Sequence, residues 1–137
     1  ESDMMAACAA GALAPVARAY SSPSFLMYTA YLSGPMRGYP NHNHAAFNAA
    51  AAELRAHGWT IFNPAEMGLG EDSEPRHWRR YARRDIAIVT DHLRAEDGDA
   101  IILLPNWQAS KGATAERAVG IWCGLRILTL ADALEEK

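Results

Sequence analysis

The chain has few of the features that mark membrane-bound, disulfide-stabilised or metal-dependent proteins. Only two of its 137 residues are cysteines, Cys8 and Cys123, and their separation matches no zinc-binding spacing. Because Cys123 falls in an apolar helical stretch, we expect a buried thiol there and a reducing, cytoplasmic environment. No apolar run approaches the ~18 residues that a membrane-spanning helix needs, so we expect no membrane partner.

An excess of positive charge is also lacking. The chain has 13 lysines and arginines against 16 acidic residues, a formal net charge of −3, and we therefore expect no polymeric nucleic acid as a partner. Positive charge is nevertheless concentrated in one predicted helix, where five arginines either form a solvated face or attract an anion. These are Arg76, Arg79, Arg80, Arg83 and Arg84.

The length suits one domain with its own hydrophobic core. Residues 1–25 differ from the rest because they are rich in alanine and contain a Ser-Ser-Pro-Ser break near their end. No basic segment precedes their apolar stretch, so we predict an N-terminal extension and not a secretory signal. Residues 26–137 form the predicted domain.

Hydrophobic periodicity predicts strands and helices in alternation. Apolar runs predict strands at 26–32, 59–62, 100–104 and 126–130. Stripes with helical spacing predict helices at 43–57 and 77–89, a third before Gly124 and a short fourth at 131–135. The third has an expected core stripe of Ala115, Ala118, Val119 and Trp122. Such alternation calls for a mainly parallel sheet with helices on both faces.

In sheets of this kind, ligands bind outside the carboxyl ends of the strands, which directs attention to segments 33–43, 63–74 and 105–112. The first contains Ser-Gly-Pro-Met-Arg-Gly at 33–38, where small residues let a ligand approach the backbone and Arg37 can hold a phosphate. A simple tight turn explains the same residues. Neither a Walker loop nor a dinucleotide fingerprint is present in this segment.

Two carboxylates occupy unusual positions. Glu116 lies in the first turns of a predicted helix, where the helix dipole alone favours an acid, but it also adjoins Ala115 of the expected core stripe. Asp85 shares an otherwise apolar face with Trp78, Tyr81, Ala82 and Val89. It either pairs with Arg84 or Arg126, or it is a carboxyl whose pKa burial raises so that it donates a proton.

Two further features have both a functional and a structural interpretation. His42 and His44 form an H-x-H pair, but no third ligand has suitable spacing, so we interpret them as loop residues at a helix cap and expect no metal. Trp107 follows a central strand, where it either stacks on a base or packs as an ordinary aromatic residue.

A series of short motifs between residues 27 and 130 carries a family resemblance. They are Tyr31-Leu32-Ser33-Gly34-Pro35-Met36-Arg37-Gly38, Asn43 with Phe47-Asn48-Ala49-Ala50, Asn63-Pro64-Ala65, Arg84-Asp85, Asp99-Ala100, Leu104-Pro105-Asn106-Trp107 and Ser110-x-Gly112-x-x-x-Glu116. In this order they resemble the nucleoside 2-deoxyribosyltransferase-like superfamily, most closely its small branch known as DUF4406.

The resemblance implies a flavodoxin-like three-layer sandwich with a mainly parallel sheet of four to five strands. In this superfamily a helix-borne glutamate after a Ser-x-Gly stretch is the nucleophile, and Glu116 matches it. An aspartate on the preceding helix assists the leaving base, and Asp85 matches that residue. The resemblance further implies a homo-oligomer, and the chemistry needs no metal or other cofactor.

The turn Gly-x-x-Arg-Gly resembles the phosphate loop of 2′-deoxynucleoside 5′-monophosphate N-hydrolases, which places it near a 5′-phosphate. Pro35 departs from the pattern of those enzymes, which tend to carry a hydroxyl residue there, and it removes one candidate phosphate donor. The predicted substrate-binding residues are Tyr31, Ser33, Gly34, Arg37, Gly38, Asn43, Trp107, Ser110 and Gly112.

The expected function is therefore cleavage of an N-glycosidic bond, by hydrolysis or base transfer, in a nucleoside 5′-monophosphate or a nucleoside. By analogy with retaining glycosidases, the carboxyls of Glu116 and Asp85 should lie ~5 Å apart across the substrate. A non-catalytic nucleotide-binding or sensor module is the alternative. A response module that binds Mg²⁺ is disfavoured, because the strand ends lack the necessary cluster of acidic residues.

Overall fold

A computed structural model of the chain describes residues 28–68 and 78–136. Within them, four strands alternate with four helices. The strands are β1 (Thr29–Ser33), β2 (Thr60–Phe62), β3 (Ala100–Leu103) and β4 (Arg126–Thr129). The helices are α1 (His44–Ala56), α2 (Trp78–Ala87), α3 (Lys111–Trp122) and α4 (Leu130–Glu135). A π-helical turn over Ile88–His92 extends α2.

The four strands form one parallel sheet in the order β2-β1-β3-β4, which confirms the predicted flavodoxin-like α/β sandwich. After β1 the chain moves outward to β2, and it then returns to place β3 on the other side of β1. The strand order therefore reverses between β1 and β3. In open parallel sheets a ligand crevice forms at the carboxyl ends of the two strands where this reversal occurs.

Side chains alternate across the sheet and build a core on each face. Leu32 of β1 packs with Phe47 of α1 and Ala133 of α4 on one face. Tyr31 of β1 packs with Val89 of the π-helical turn on the other face, where α3 also packs. Every residue of β3 is buried, as expected for a strand covered on both sides.

Of the predicted α3 stripe, Val119 is partly buried and packs against the core, but the other three residues lie off the buried face. Ala113, Glu116 and Gly120 are the buried residues of this helix, whereas Trp122 is 88% exposed and Ala115 and Ala118 are exposed as well. Hydrophobic periodicity chose the wrong face because the true one carries a carboxylate and a glycine. The expected buried thiol at Cys123 is also wrong, since this residue is exposed.

Parts of the predicted chain organisation lie outside the described residues, namely the extension at 1–25, the first residues of the predicted 26–32 strand, Arg76 and the start of the predicted 77–89 helix. None of the described helices is long and apolar enough to cross a membrane.

Gly120 allows α3 to approach the sheet closely. A Cβ at this position would lie 2.3 Å from Ile101 Cδ1 and 3.3 Å from Ile127 Cδ1. Gly112, on the same helix, offers a matched comparison, because the nearest atom to its added Cβ is Ser110 Oγ at 3.8 Å.

We therefore predict that Gly120→Ala lowers the free energy of unfolding, although alanine favours a helix over glycine by about 1 kcal/mol. Overpacking a filled core costs about 1–3 kcal/mol, and the buried Ile101 has little room to move. Gly112→Ala should leave stability unchanged or raise it. Urea unfolding of both variants measures the difference, and equal stability would contradict the close packing of α3 on β3.

Candidate active site

The start of α3 places a carboxylate against β1. The Ser110 side chain accepts a hydrogen bond from the Ala113 backbone N–H at 3.1 Å, which caps the helix. Glu116 follows on the buried face, in register with Ala113 and Gly120. Because these two neighbours are small, the glutamate side chain fills the space between helix and sheet.

Both oxygens of the Glu116 carboxylate accept hydrogen bonds from β1. The Tyr31 hydroxyl donates to Oε2 at 2.8 Å, and the Ser33 hydroxyl donates to Oε1 at 2.6 Å. The two donors are two residues apart on one strand, so they lie on the same side of the sheet. Glu116 is only 8% exposed. Its position is therefore fixed at both oxygens.

Asp85 brings a second carboxyl to this place from α2. Its Oδ1 accepts a hydrogen bond from Arg84 Nε at 2.8 Å, and Arg84 Nη2 lies 2.7 Å from the same oxygen in a salt bridge. The salt bridge with Arg84, one of the two predicted partners, is thus present. Arg126, the other, donates instead to the Gly98 carbonyl and pairs with Glu136.

Burial raises the pKa values of both carboxyls. Burial and, as a smaller cause, the charge of Asp85 together raise the pKa of Glu116 from its ordinary value of 4.5 to about 7, against the hydrogen bonds from Ser33 and Tyr31. Burial also raises the pKa of Asp85, against the nearby Arg84 cation. The pKa of Tyr31 is raised well above its ordinary value by burial and by the two carboxyls. Both carboxyls therefore hold their protons to higher pH than exposed carboxyls do.

The loop after β1 combines a buried start with an exposed turn. Gly34 is required by packing, since an added Cβ would lie 2.8 Å from Leu104 Cβ. The Asn43 side-chain amide donates to the Pro35 carbonyl at 2.9 Å and so ties the end of the loop to its beginning. Arg37 and Gly38 are exposed in a turn closed by a backbone hydrogen bond from Tyr39 to Met36, with Gly38 at a positive φ of 85°.

The loop after β3 holds the remaining predicted substrate residues. Trp107 is half-buried against the core, and the Arg117 guanidinium lies 5.1 Å from its ring centroid. Ser110 uses its oxygen as a helix cap but keeps its hydroxyl hydrogen for another acceptor. Gly112 is exposed in the first turn of α3.

His42 lies in the short helical segment that leads into α1, and His44 is the first residue of α1; their ring centroids are 5.9 Å apart. His42 has a left-handed backbone, as do Asn41 and Asn43 on either side of it. Among the described residues, no group of three or more His, Cys, Asp or Glu side chains is arranged to hold a metal ion.

The structure thus brings four of the predicted site residues into one cluster: Glu116, Asp85, Tyr31 and Ser33. Gly34, Arg37, Gly38 and Asn43 belong to the adjoining loop, whereas Trp107, Ser110 and Gly112 precede or begin α3. Sequence reasoning missed that Tyr31 and Ser33 bond the glutamate directly. Their i, i+2 spacing on a predicted strand was the available signal, because it places both hydroxyls on one face.

Comparison with known proteins gives a family but no activity. The family model described as Domain of unknown function (DUF4406) matches residues 28–129, a range that contains all four strands and the carboxylate cluster. No curated protein matches the chain.

The raised pKa of Glu116 makes stability depend on pH. Below about pH 4.5 the carboxyl is protonated in folded and unfolded chains alike, and as pH rises to about 7 only the unfolded chain ionises. Folding stability is therefore lost across this interval, by about 1.4 kcal/mol for each unit of pKa difference. We predict that Glu116→Gln is more stable than the wild type at pH 8, and that this advantage disappears towards pH 4.5.

Urea unfolding at the two pH values tests this prediction. Glu53→Gln on α1 is the matched control, because Glu53 is exposed and its substitution should have the same small effect at both pH values. A Glu116→Gln variant that is less stable than the wild type by the same amount at pH 4.5 and pH 8 would show that the folded protein holds Glu116 as a favourable structural charge.

Proposed function

The chain belongs to the DUF4406 family, and we propose that it cleaves the N-glycosidic bond of a nucleoside 5′-monophosphate or nucleoside with Glu116 as the nucleophile. One observation carries this proposal: a buried carboxylate whose two oxygens are held by Tyr31 and Ser33, beside a second carboxyl from Asp85. Burying ionisable groups at such a place lowers stability, and a pair of carboxyls is what glycoside cleavage requires.

In the proposed reaction, a Glu116 oxygen attacks C1′ of the sugar while the bond from C1′ to the base nitrogen breaks. The bonding electron pair leaves with the base, and Asp85 supplies the proton that neutralises it. The sugar is then held as an ester of Glu116. Water attacks C1′ with loss of its proton to Asp85 and releases Glu116, which completes hydrolysis; a second base in place of water gives transfer.

The protonation of the cluster suits this sequence. The reaction starts from one carboxylate and one carboxylic acid, and the raised pKa values of both groups favour a state in which the pair shares a proton. Hydroxyl donors from Tyr31 and Ser33 favour the charged form of Glu116. The productive arrangement has Glu116 ionised, as its pKa of about 7 allows from neutral pH upwards, and the proton on Asp85.

The position of the cluster also supports a nucleotide substrate. Ser33 is the last residue of β1, and the exposed turn at Arg37 and Gly38 follows it directly. A sugar bound over Glu116 can therefore extend its 5′ side towards this turn, where a guanidinium can donate two parallel hydrogen bonds to a phosphate.

Base release is the direct test. We predict that the protein, incubated with mixed nucleoside 5′-monophosphates and nucleosides, produces free base detectable by chromatography. Glu116→Ala should fold as the wild type does and lose at least ~10³-fold in rate, because the nucleophile is gone. Glu53→Ala, which removes an exposed glutamate from α1, should retain full activity.

Two results would overturn the proposal. Undiminished base release by Glu116→Ala would remove the glutamate from the chemistry. Nucleotide binding by the wild type without any release of base would instead identify a nucleotide-binding or sensor module.

The turn after β1 yields a separate prediction. If Arg37 binds the 5′-phosphate, Arg37→Ala should raise KM for the monophosphate roughly ten- to a hundred-fold, the effect of losing ~1.5–3 kcal/mol from a charged hydrogen bond. KM for the free nucleoside should change little. Steady-state kinetics of the variant on the two substrates measure both KM values. An equal rise in KM for both would show that the enzyme acts on nucleosides and that Arg37 only maintains the structure of the loop.

A further inference from the structure

The ion pair between Arg84 and Asp85 is unusual for a helix. Consecutive residues of an α-helix point in directions about 100° apart and do not normally face each other. Here two guanidinium nitrogens of Arg84 nevertheless converge on one oxygen of Asp85, and the two side chains are only 19% and 14% exposed. The guanidinium carbon also lies 5.3 Å from the centroid of the Tyr81 ring.

The ion pair contributes little to folding stability compared with the free-energy cost of desolvating its two charges. Among the described residues, the buried Nη1 of Arg84 has no hydrogen-bond partner. Half-satisfied ion pairs with buried donors are neutral or unfavourable for folding compared with apolar residues of the same size. A role in the chemistry of the neighbouring carboxyls explains the pair better than a role in folding.

The charges of the cluster indicate that role. Among the described residues, the ionisable groups that act on Asp85 are Arg84 on its own helix, Tyr31 of β1 and Glu116 of α3. With one proton shared between the two carboxyls, the cluster of two acids and one guanidinium has no net charge. With two protons it is positive, and with none it is negative. Because burial disfavours net charge, the guanidinium selects the state with one proton.

We infer that Arg84 is a positioning residue that holds the Asp85–Glu116 pair in its singly protonated form. Its Nε and Nη2 both lie against Oδ1 of Asp85, which leaves Oδ2 to carry the proton. The positive charge of Arg84 also lowers the pKa of each carboxyl against the effect of burial. Without the guanidinium, the neutral state of the cluster is the doubly protonated one, which contains no nucleophile.

The importance of this role for catalysis rests on the proposed function, but the protonation state itself is measurable without substrate. ¹³C NMR of the side-chain carboxyls in the full chain, titrated from pH 4 to 10, gives the midpoints of the pair. Spectra of Glu116→Gln and Asp85→Asn assign the two signals.

In Arg84→Met we expect the upper midpoint to move to higher pH by at least ~1 unit, since a neighbouring cation is worth that much or more. Arg84→Lys retains the charge and should titrate close to the wild type. Arg83→Met is the matched control, because Arg83 is the exposed neighbour on the same helix, and it should leave both midpoints in place. Unchanged midpoints in Arg84→Met would overturn the inference.

Asp85→Asn gives a second measurement, which does not depend on whether the Arg84 variants fold. With Asp85 neutral, the cluster of Arg84 and Glu116 is uncharged only when Glu116 is ionised. The Glu116 midpoint should therefore fall well below its wild-type position. A midpoint that stays in place or rises would overturn the inference.

Activity provides the third readout. In Arg84→Met, the acid limb of the pH–rate profile for base release should move to higher pH. Above the new midpoint, the activity should recover to within a few-fold of the wild type. A loss of activity that is equal at every pH would show that Arg84 is purely structural. If the wild type releases no base, the proposed function fails, and the titrations of substrate-free protein still decide the role of Arg84.

Discussion

The contact between Glu116 and β1 is the constraint around which the candidate site is built. A carboxylate can be buried between a helix and a sheet only if its oxygens are satisfied, and the hydroxyls of Tyr31 and Ser33 satisfy both. The need to bond both carboxylate oxygens sets the rotation of α3 about its axis. This rotation decides which residues of α3 are buried. The apolar side chain of Trp122 is consequently left in solvent.

Small residues make this contact geometrically possible. Ala113 and Gly120 lie on either side of Glu116 along the buried face of α3, so the helix backbone approaches β3 closely. At the other end of the site, Gly34 allows the chain leaving β1 to pass against Leu104. Close packing at two glycines therefore places the loops after β1 and β3 next to each other, at the point where the strand order reverses.

The sequence was sufficient for the architecture, because the alternation of apolar runs and helical stripes is a local property. It also singled out Asp85, since a carboxylate among apolar residues breaks a periodic pattern. The sequence was insufficient for the buried face of α3. That face contains a glutamate and a glycine, which a hydrophobicity pattern does not identify as buried. The hydrogen bonds from Tyr31 and Ser33 to Glu116 depend on how a helix packs on a strand that is distant in sequence. The periodicity of either segment contains no information about this packing.

The hydrogen bonds that hold Glu116 join residues 85 and 83 positions apart in the chain. The donors lie on the first strand and the acceptor lies on the helix after the third, so the cluster is complete only when β3 has paired with β1 and the chain has doubled back over the sheet. Closing such a long loop is entropically unfavourable, and parallel pairing of this kind is slow. A nascent chain can therefore acquire the bonded Glu116 only after α3 has been synthesised and has packed on β1.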